Sequence, residues 1–91
     1  MQQYVIERSI PGLDKLTPGE IRSMAAKSNG VLQGLGTDVQ WLHSYATADK
    51  MYCIYRAENE ELVREHARRG GFPADAVSRV QRVVDPLSAQ A

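Results

Sequence analysis

Hydrophobic and polar positions alternate in residues 4–10 (YVIERSI), and this strand-like run stops at a Pro-Gly turn. A helix start follows, because Thr17 and Glu20 can cap each other's backbone N–H groups and Pro18 suits the first helical position. Spacings of three and four then predict one apolar helix face that ends near glycine, formed by Ile21, Met24, Ala25, Ser28, Val31, Leu32 and Leu35. The pattern therefore predicts a strand followed by a helix.

The second half of the chain predicts a hairpin, a short helix and a last strand. Residues 39–47 (VQWLHSYAT) and 51–57 (MYCIYRA) are rich in aromatic and β-branched side chains, as strands are. Asn59 can cap a helix that has acidic residues in its first turn and arginines in its last, as the helix dipole favours. Residues 77–85 contain four valines and predict the last strand, which Pro86 ends.

The order β-α-β-β-α-β is the split βαβ pattern. It predicts an α+β, ferredoxin-like domain with a four-stranded antiparallel sheet and both helices on one face. We expect a single domain over residues 1–86 and a disordered tail over residues 87–91. The second face of the sheet is left bare, and in so small a chain we expect it to form a homodimer interface or a ligand pocket.

Composition and charge limit the classes of binding partner that we expect for this chain. The 91 residues are 43% hydrophobic and 24% charged, which is typical of a folded globular chain. Eleven basic residues balance 11 acidic ones, so no overall field attracts nucleic acid or an anionic membrane, and we expect neither as a partner. Since no apolar run has the length of a membrane span or a signal core, we expect a cytoplasmic protein.

Candidate chemistry rests on few residues. Cys53 is the one cysteine, so the chain has neither an internal disulfide nor the four thiolates of an iron–sulfur cluster. His43 and His66 are the two histidines, and imidazole both binds late first-row metals and moves protons near neutral pH. Each can equally be a packing residue. Neither has a ligand at a helical or strand neighbour, so a metal site would be assembled between elements or subunits.

The length of the hairpin loop decides whether His43 and Cys53 lie on the same face of the sheet. A loop of two or four residues pairs His43 with Ile54 and Ser44 with Cys53, which places His43 and Cys53 on opposite faces; a three-residue loop brings them together. We favour the even loop because small residues suit packing under helices. It puts beneath the helices Leu42, Ser44, Ala46, Met51 and Cys53. It puts on the bare face Trp41, His43, Tyr45 and Tyr52.

Glu7 is the acid of the first strand and is expected on the bare face, where it could meet His43. It is either a salt-bridge partner of Arg56 or Arg8, which we favour, or a ligand or base in a pocket.

Five segments along the chain form a specific pattern: residues 4–8 (YVIER), 39–45 (VQWLHSY), 52–55 (YCIY), 64–67 (REHA) and 71–74 (GFPA). Through these segments the chain resembles a family of small bacterial nickel-binding proteins of ferredoxin-like fold. The resemblance implies a homodimer that binds nickel ions and sequesters or buffers excess metal, with no iron–sulfur cluster.

The resemblance also bears on the metal ligands. His43, Cys53 and His66 stand at matching motif positions and are able ligands, and Glu7 is added from its place on the sheet face. The resulting metal set is His43, His66, Cys53 and Glu7.

Two functions follow, and they use the same residues. The leading hypothesis is a cytoplasmic, dimeric protein that binds nickel or another divalent metal through its histidines, with carboxylates and water completing the shell. The rival is a dimeric α+β barrel enzyme of the cyclase, monooxygenase or isomerase kind, acting on a small aromatic or polyketide-like substrate. There His43 would be the general acid or base and Glu7 would orient it. A third interpretation is a structural or regulatory dimer without a ligand.

Overall fold

The structure is a computed structural model that describes residues 1–90. Its order of elements is the predicted one: β1 (Gln2–Ser9), α1 (Pro18–Leu35), β2 (Val39–Ala46), β3 (Lys50–Ala57), α2 (Glu60–Gly70) and β4 (Ala76–Arg79). The strands form one antiparallel sheet in the order β2-β3-β1-β4, and both helices cover the same face. The predicted ferredoxin-like α+β fold is therefore confirmed.

Local sequence signals fix where the helices start. The Thr17 hydroxyl accepts a hydrogen bond from the Glu20 N–H at 3.2 Å, and the Glu20 carboxylate accepts one from the Thr17 N–H at 3.0 Å. At the start of α2 the Asn59 side chain accepts from the Leu62 N–H at 3.0 Å. These caps satisfy backbone donors that a helix cannot satisfy internally. Neither helix among residues 1–90 is both long and apolar enough to cross a membrane.

The core lies between the helices and the covered face of the sheet. Alternate residues of β1 and β3 point into it, because successive strand side chains face opposite ways. Its buried hydrophobic members are Tyr4, Ile6, Val39, Cys53, Tyr55, Ala57 and Val63. The same alternation carries Arg8, two residues beyond Ile6, into this apolar layer, where it is only 4% exposed.

The hairpin has the even register that the sequence favoured. Ala46 pairs with Met51 across a four-residue connection, so His43 pairs with Ile54 and lies on the open face. One part of the prediction is wrong. A β-bulge between Trp41 and His43 leaves Leu42 unpaired, which turns Trp41 to the helix-covered face and leaves Leu42 38% exposed. Counting alternate positions missed the extra residue.

The last strand is shorter than predicted. β4 ends at Arg79 instead of Asp85, because it pairs only with β1, and β1 begins at Gln2. The last backbone bond of this pair runs from the Val80 N–H to the Gln3 carbonyl, and the chain beyond it has no strand to pair with. Pro86–Gln90 form a short 3-10 helix with exposed side chains; Ala91, the last residue of the expected tail, lies outside the described residues.

Gly70 is required by packing. A Cβ at this last residue of α2 would overlap the Phe72 ring, so Gly70→Ala should lower the free energy of unfolding by about 1–3 kcal/mol. Gly30→Ala is the matched control, since a Cβ in the middle of α1 meets no atom within 4 Å and should add up to about 1 kcal/mol. Urea denaturation of both variants measures the two effects. A Gly70→Ala protein as stable as the wild type would contradict the packing.

Candidate functional site

The sheet divides the four predicted metal ligands into two pairs. His43 and Glu7 lie on the open face, whereas His66 and Cys53 lie on the face that the helices cover. No single ion can contact both pairs through a sheet. Within residues 1–90 no three His, Cys, Asp or Glu side chains are grouped closely enough to hold a metal.

The open face presents His43 to solvent. The imidazole makes an edge contact with the Tyr45 ring, with centroids 5.1 Å apart, and it lies in the row formed by Ile54 and Val5. Glu7 lies on β1 and pairs with Tyr52 of β3. It is two strands away from His43 on β2 and two residues further along the strand direction. Strand geometry separates the two backbones by about 12 Å, so His43 and Glu7 are not cross-strand neighbours.

The expected contacts of Glu7 therefore do not form. Among the described residues it makes no ion pair with Arg8 or Arg56; the ion pairs that do form are all within α2, from Glu60 to Arg64 and from Glu65 to Arg68 and Arg69. Glu7 and Arg8 are neighbours in a strand, so their side chains point to opposite faces. The favoured salt-bridge interpretation was wrong, and Glu7 is a half-buried carboxylate beside Tyr52.

His66 is a buried histidine. Its side chain has no exposed area, its Nε2 lies 3.0 Å from the Ser28 hydroxyl, and its Nδ1 has no hydrogen-bond partner. The ring packs against Tyr55 and Phe72, with centroid distances of 5.1 and 5.4 Å. Burial, together with the nearby Arg8 charge, lowers the pKa of His66 to about 4. The imidazole is therefore neutral at neutral pH.

Arg8 is the buried charge that the sequence reasoning missed. Its Nε donates to the Cys53 Sγ at 3.4 Å, its Nη1 to the Pro73 carbonyl and its Nη2 to the Tyr55 hydroxyl at 3.4 Å. All three acceptors are formally uncharged groups, and burial raises the pKa of Tyr55, which keeps its hydroxyl protonated. The strand period was the available signal, because Arg8 is in phase with Tyr4 and Ile6.

A cavity of about 470 Å³ opens beside Arg8, between α1 and the covered face of the sheet. Apolar side chains dominate its lining, among them Ile21, Met24, Trp41, Met51 and Phe72. The bulge at Leu42 directs Trp41 into this wall, where its Nε1 donates to the Ser44 hydroxyl at 2.9 Å.

This arrangement bears on the predicted enzyme pocket. That pocket required Trp41, Tyr45 and Tyr52 around His43, but Trp41 lies across the sheet from the other three residues. His43 is exposed instead of enclosed. The geometric basis of the enzyme interpretation is thereby removed.

The fold and these sites define a small ferredoxin-like α+β protein with an open, histidine-bearing sheet face and a buried arginine–histidine cluster. The chain belongs to the family described as nickel responsive protein SCO4226-like, which matches residues 4–80. The crystal structure of SCO4226 from Streptomyces coelicolor A3(2) is similar to this one, with a TM-score of 0.75 over 90% of this chain and 99% of that chain. The two sequences are 16% identical, so this likeness shows the fold. No curated protein matches the chain.

The buried state of His66 predicts a loss of stability in acid. Its pKa is about 4 when folded and 6.5 ordinarily, so between these values the unfolded chain binds more protons. Above about pH 6.5 the neutral His66 ring makes its full contribution to the free energy of unfolding. About 3 kcal/mol of that free energy is lost as the pH falls to 4. Urea denaturation at pH 7.5, 5.5 and 4 measures it.

His66→Gln is the control for this prediction, because an amide can still bond Ser28 but does not titrate. Carboxylates titrate equally in both proteins, so the difference between the two pH dependences isolates His66. Parallel curves for wild type and variant would show that His66 is not buried as a neutral imidazole.

Proposed function

We propose that this chain is a cytoplasmic, homodimeric nickel-binding protein that sequesters or buffers excess nickel ions. The observation that carries the proposal is the match of residues 4–80 to a nickel responsive family. The donor chemistry agrees, because imidazole, carboxylate and water are ligands that nickel accepts.

The proposal takes His43 as the anchor of the nickel site. Of the two histidines, His43 is exposed on the open face, whereas His66 is enclosed and already bonded to Ser28. Glu7 shares the open face but is not a cross-strand neighbour of His43, and residues 1–90 hold no group of three His, Cys, Asp or Glu side chains that could hold a metal. A second copy facing the first supplies the missing carboxylate, which makes the site a property of the dimer. Cys53 and His66 are left to the internal cluster.

Exposed apolar side chains support pairing with a second copy. Tyr45 on the open face is 62% exposed, and Val83, Val84 and Leu87, which follow β4, are 69–75% exposed. A small chain rarely leaves such groups in water, and β4 is an edge strand that can accept another chain. The open face and the segment after β4 are therefore the proposed dimer contacts.

Nickel titration tests the metal site. Calorimetry of the tag-free protein at pH 7.5 should give saturable binding that is lost at pH 5.5, because protons compete with metal for imidazole. His43→Ala should weaken nickel binding at least about tenfold, the loss that even an outer-shell partner of a metal can cause. His66→Gln is the control and should bind like the wild type. Unchanged binding by His43→Ala, or loss in His66→Gln alone, would refute the open-face site.

Sedimentation tests the dimer. Replacing Val83 and Val84 with glutamate should shift the protein towards monomer, since like charges would be buried at the contact. Gln33→Glu adds a charge at an exposed polar position of α1, outside the proposed contact, and should leave the dimer intact. A wild type that sediments as a monomer at every concentration would rule out the shared site, as would a valine variant that remains fully dimeric.

A further inference from the structure

The cavity beneath α1 is a second candidate site, separate from the proposed nickel site. Its volume of about 470 Å³ lies in the range of roughly 300–1,000 Å³ that is typical of small-molecule pockets. Ile21 lines it and is 38% exposed, so the cavity reaches solvent beside the first turns of α1. It lies on the helix-covered side of the sheet, opposite His43, and a ligand there would not compete with metal on the open face.

Among residues 1–90, Arg8 is the sole charged residue that lines the cavity. The residue is 4% exposed, and its guanidinium has no carboxylate of the described chain at ion-pair distance. Burying a charge that lacks a counter-ion is costly, since neutral acceptors replace only part of the lost hydration. The fold thus holds an uncompensated positive charge against an apolar cavity.

The donors of Arg8 show what could compensate it. A guanidinium has five N–H groups, and three are donated, to Cys53, Pro73 and Tyr55. Two N–H groups are left over, one on each Nη atom, and a planar fork of this kind matches the two oxygens of a carboxylate. Because only one cation lines the cavity, a monoanion suits it better than a doubly charged phosphate.

We propose that this cavity binds a small amphipathic monocarboxylate, with its carboxylate on Arg8 and its aliphatic or aromatic body against Met24, Trp41 and Met51. Ser28 and Tyr55 also line the cavity, and the Tyr55 hydroxyl, which accepts from Arg8, can donate its own proton to the carboxylate end. The apolar wall sets the ligand class, because a short polar acid would leave most of that wall in contact with water.

Trp41 is the single tryptophan of the chain and lines the cavity, so its fluorescence reports binding directly. The probes are hexanoate, octanoate, phenylacetate and 4-phenylbutyrate, titrated at pH 7.5 without metal. Each is compared with the primary alcohol of the same skeleton, which keeps the apolar body and removes the charge. At least one acid should bind saturably and at least tenfold more tightly than its alcohol.

Two variants of neighbouring alanines test the location. Ala25 lines the cavity, and Ala25→Phe should fill it and abolish the fluorescence change; Ala26 is exposed and outside the lining, so Ala26→Phe should bind like the wild type. Arg8→Gln should weaken the acid at least tenfold without weakening the alcohol. Circular dichroism verifies that each variant is folded, and the Ala25 pair keeps the test valid if Arg8→Gln does not fold.

Three results would overturn the proposal. The first is no saturable response to any of the four acids. The second is equal binding of acids and alcohols, which would show that the cavity binds apolar groups without recognising an anion. The third is equal binding by Ala25→Phe and Ala26→Phe, which would place the ligand elsewhere. Failure of nickel titration bears on none of these, because the two sites use different residues on opposite faces.

Discussion

The burial of the Arg8 guanidinium is the constraint on which the covered half of this protein depends. One side chain from the central strand reaches a thiol and a phenol on β3 and a backbone carbonyl after α2. It thereby ties together segments that are 45 to 65 residues apart in the chain. Its charge also helps to hold His66 neutral, and the phenol of Tyr55 stays protonated in the same layer. Burial itself keeps both groups uncharged, and the Arg8 charge reinforces this effect at His66 but opposes it at Tyr55.

The sheet separates two kinds of chemistry in a chain of 91 residues. The covered face holds a buried arginine, a neutral histidine and a cavity with mostly apolar walls. The open face presents an exposed imidazole and a half-buried carboxylate, which lie two strands apart. Membership of a nickel responsive family and the uncovered sheet face support the proposed site, which two copies would complete. This division explains why the four candidate metal ligands of the sequence do not share a site.

The role of His66 that the sequence suggests differs from the one that the structure supports. In the sequence it lies beside the apolar stripe of a helix and is an able metal ligand. In the structure its ring is packed against Tyr55 and Phe72 and bonded to Ser28, and its Nδ1 has no partner. An unpartnered buried nitrogen costs stability. Protonating it would cost more, because burial and the Arg8 charge both oppose a second cation there.

The sequence by itself determined the order of elements and the helix caps at Thr17 and Asn59, and it favoured the even register that puts His43 and Cys53 on opposite faces. These features depend on residues a few positions apart, and local hydrogen bonding and side-chain alternation decide them. Only the tertiary structure decided the bulge at Leu42, the early end of β4 and the partners of Arg8. A bulge is one extra residue accommodated against a partner strand, a strand ends where its neighbour does, and a buried charge takes whatever acceptors distant segments bring to it.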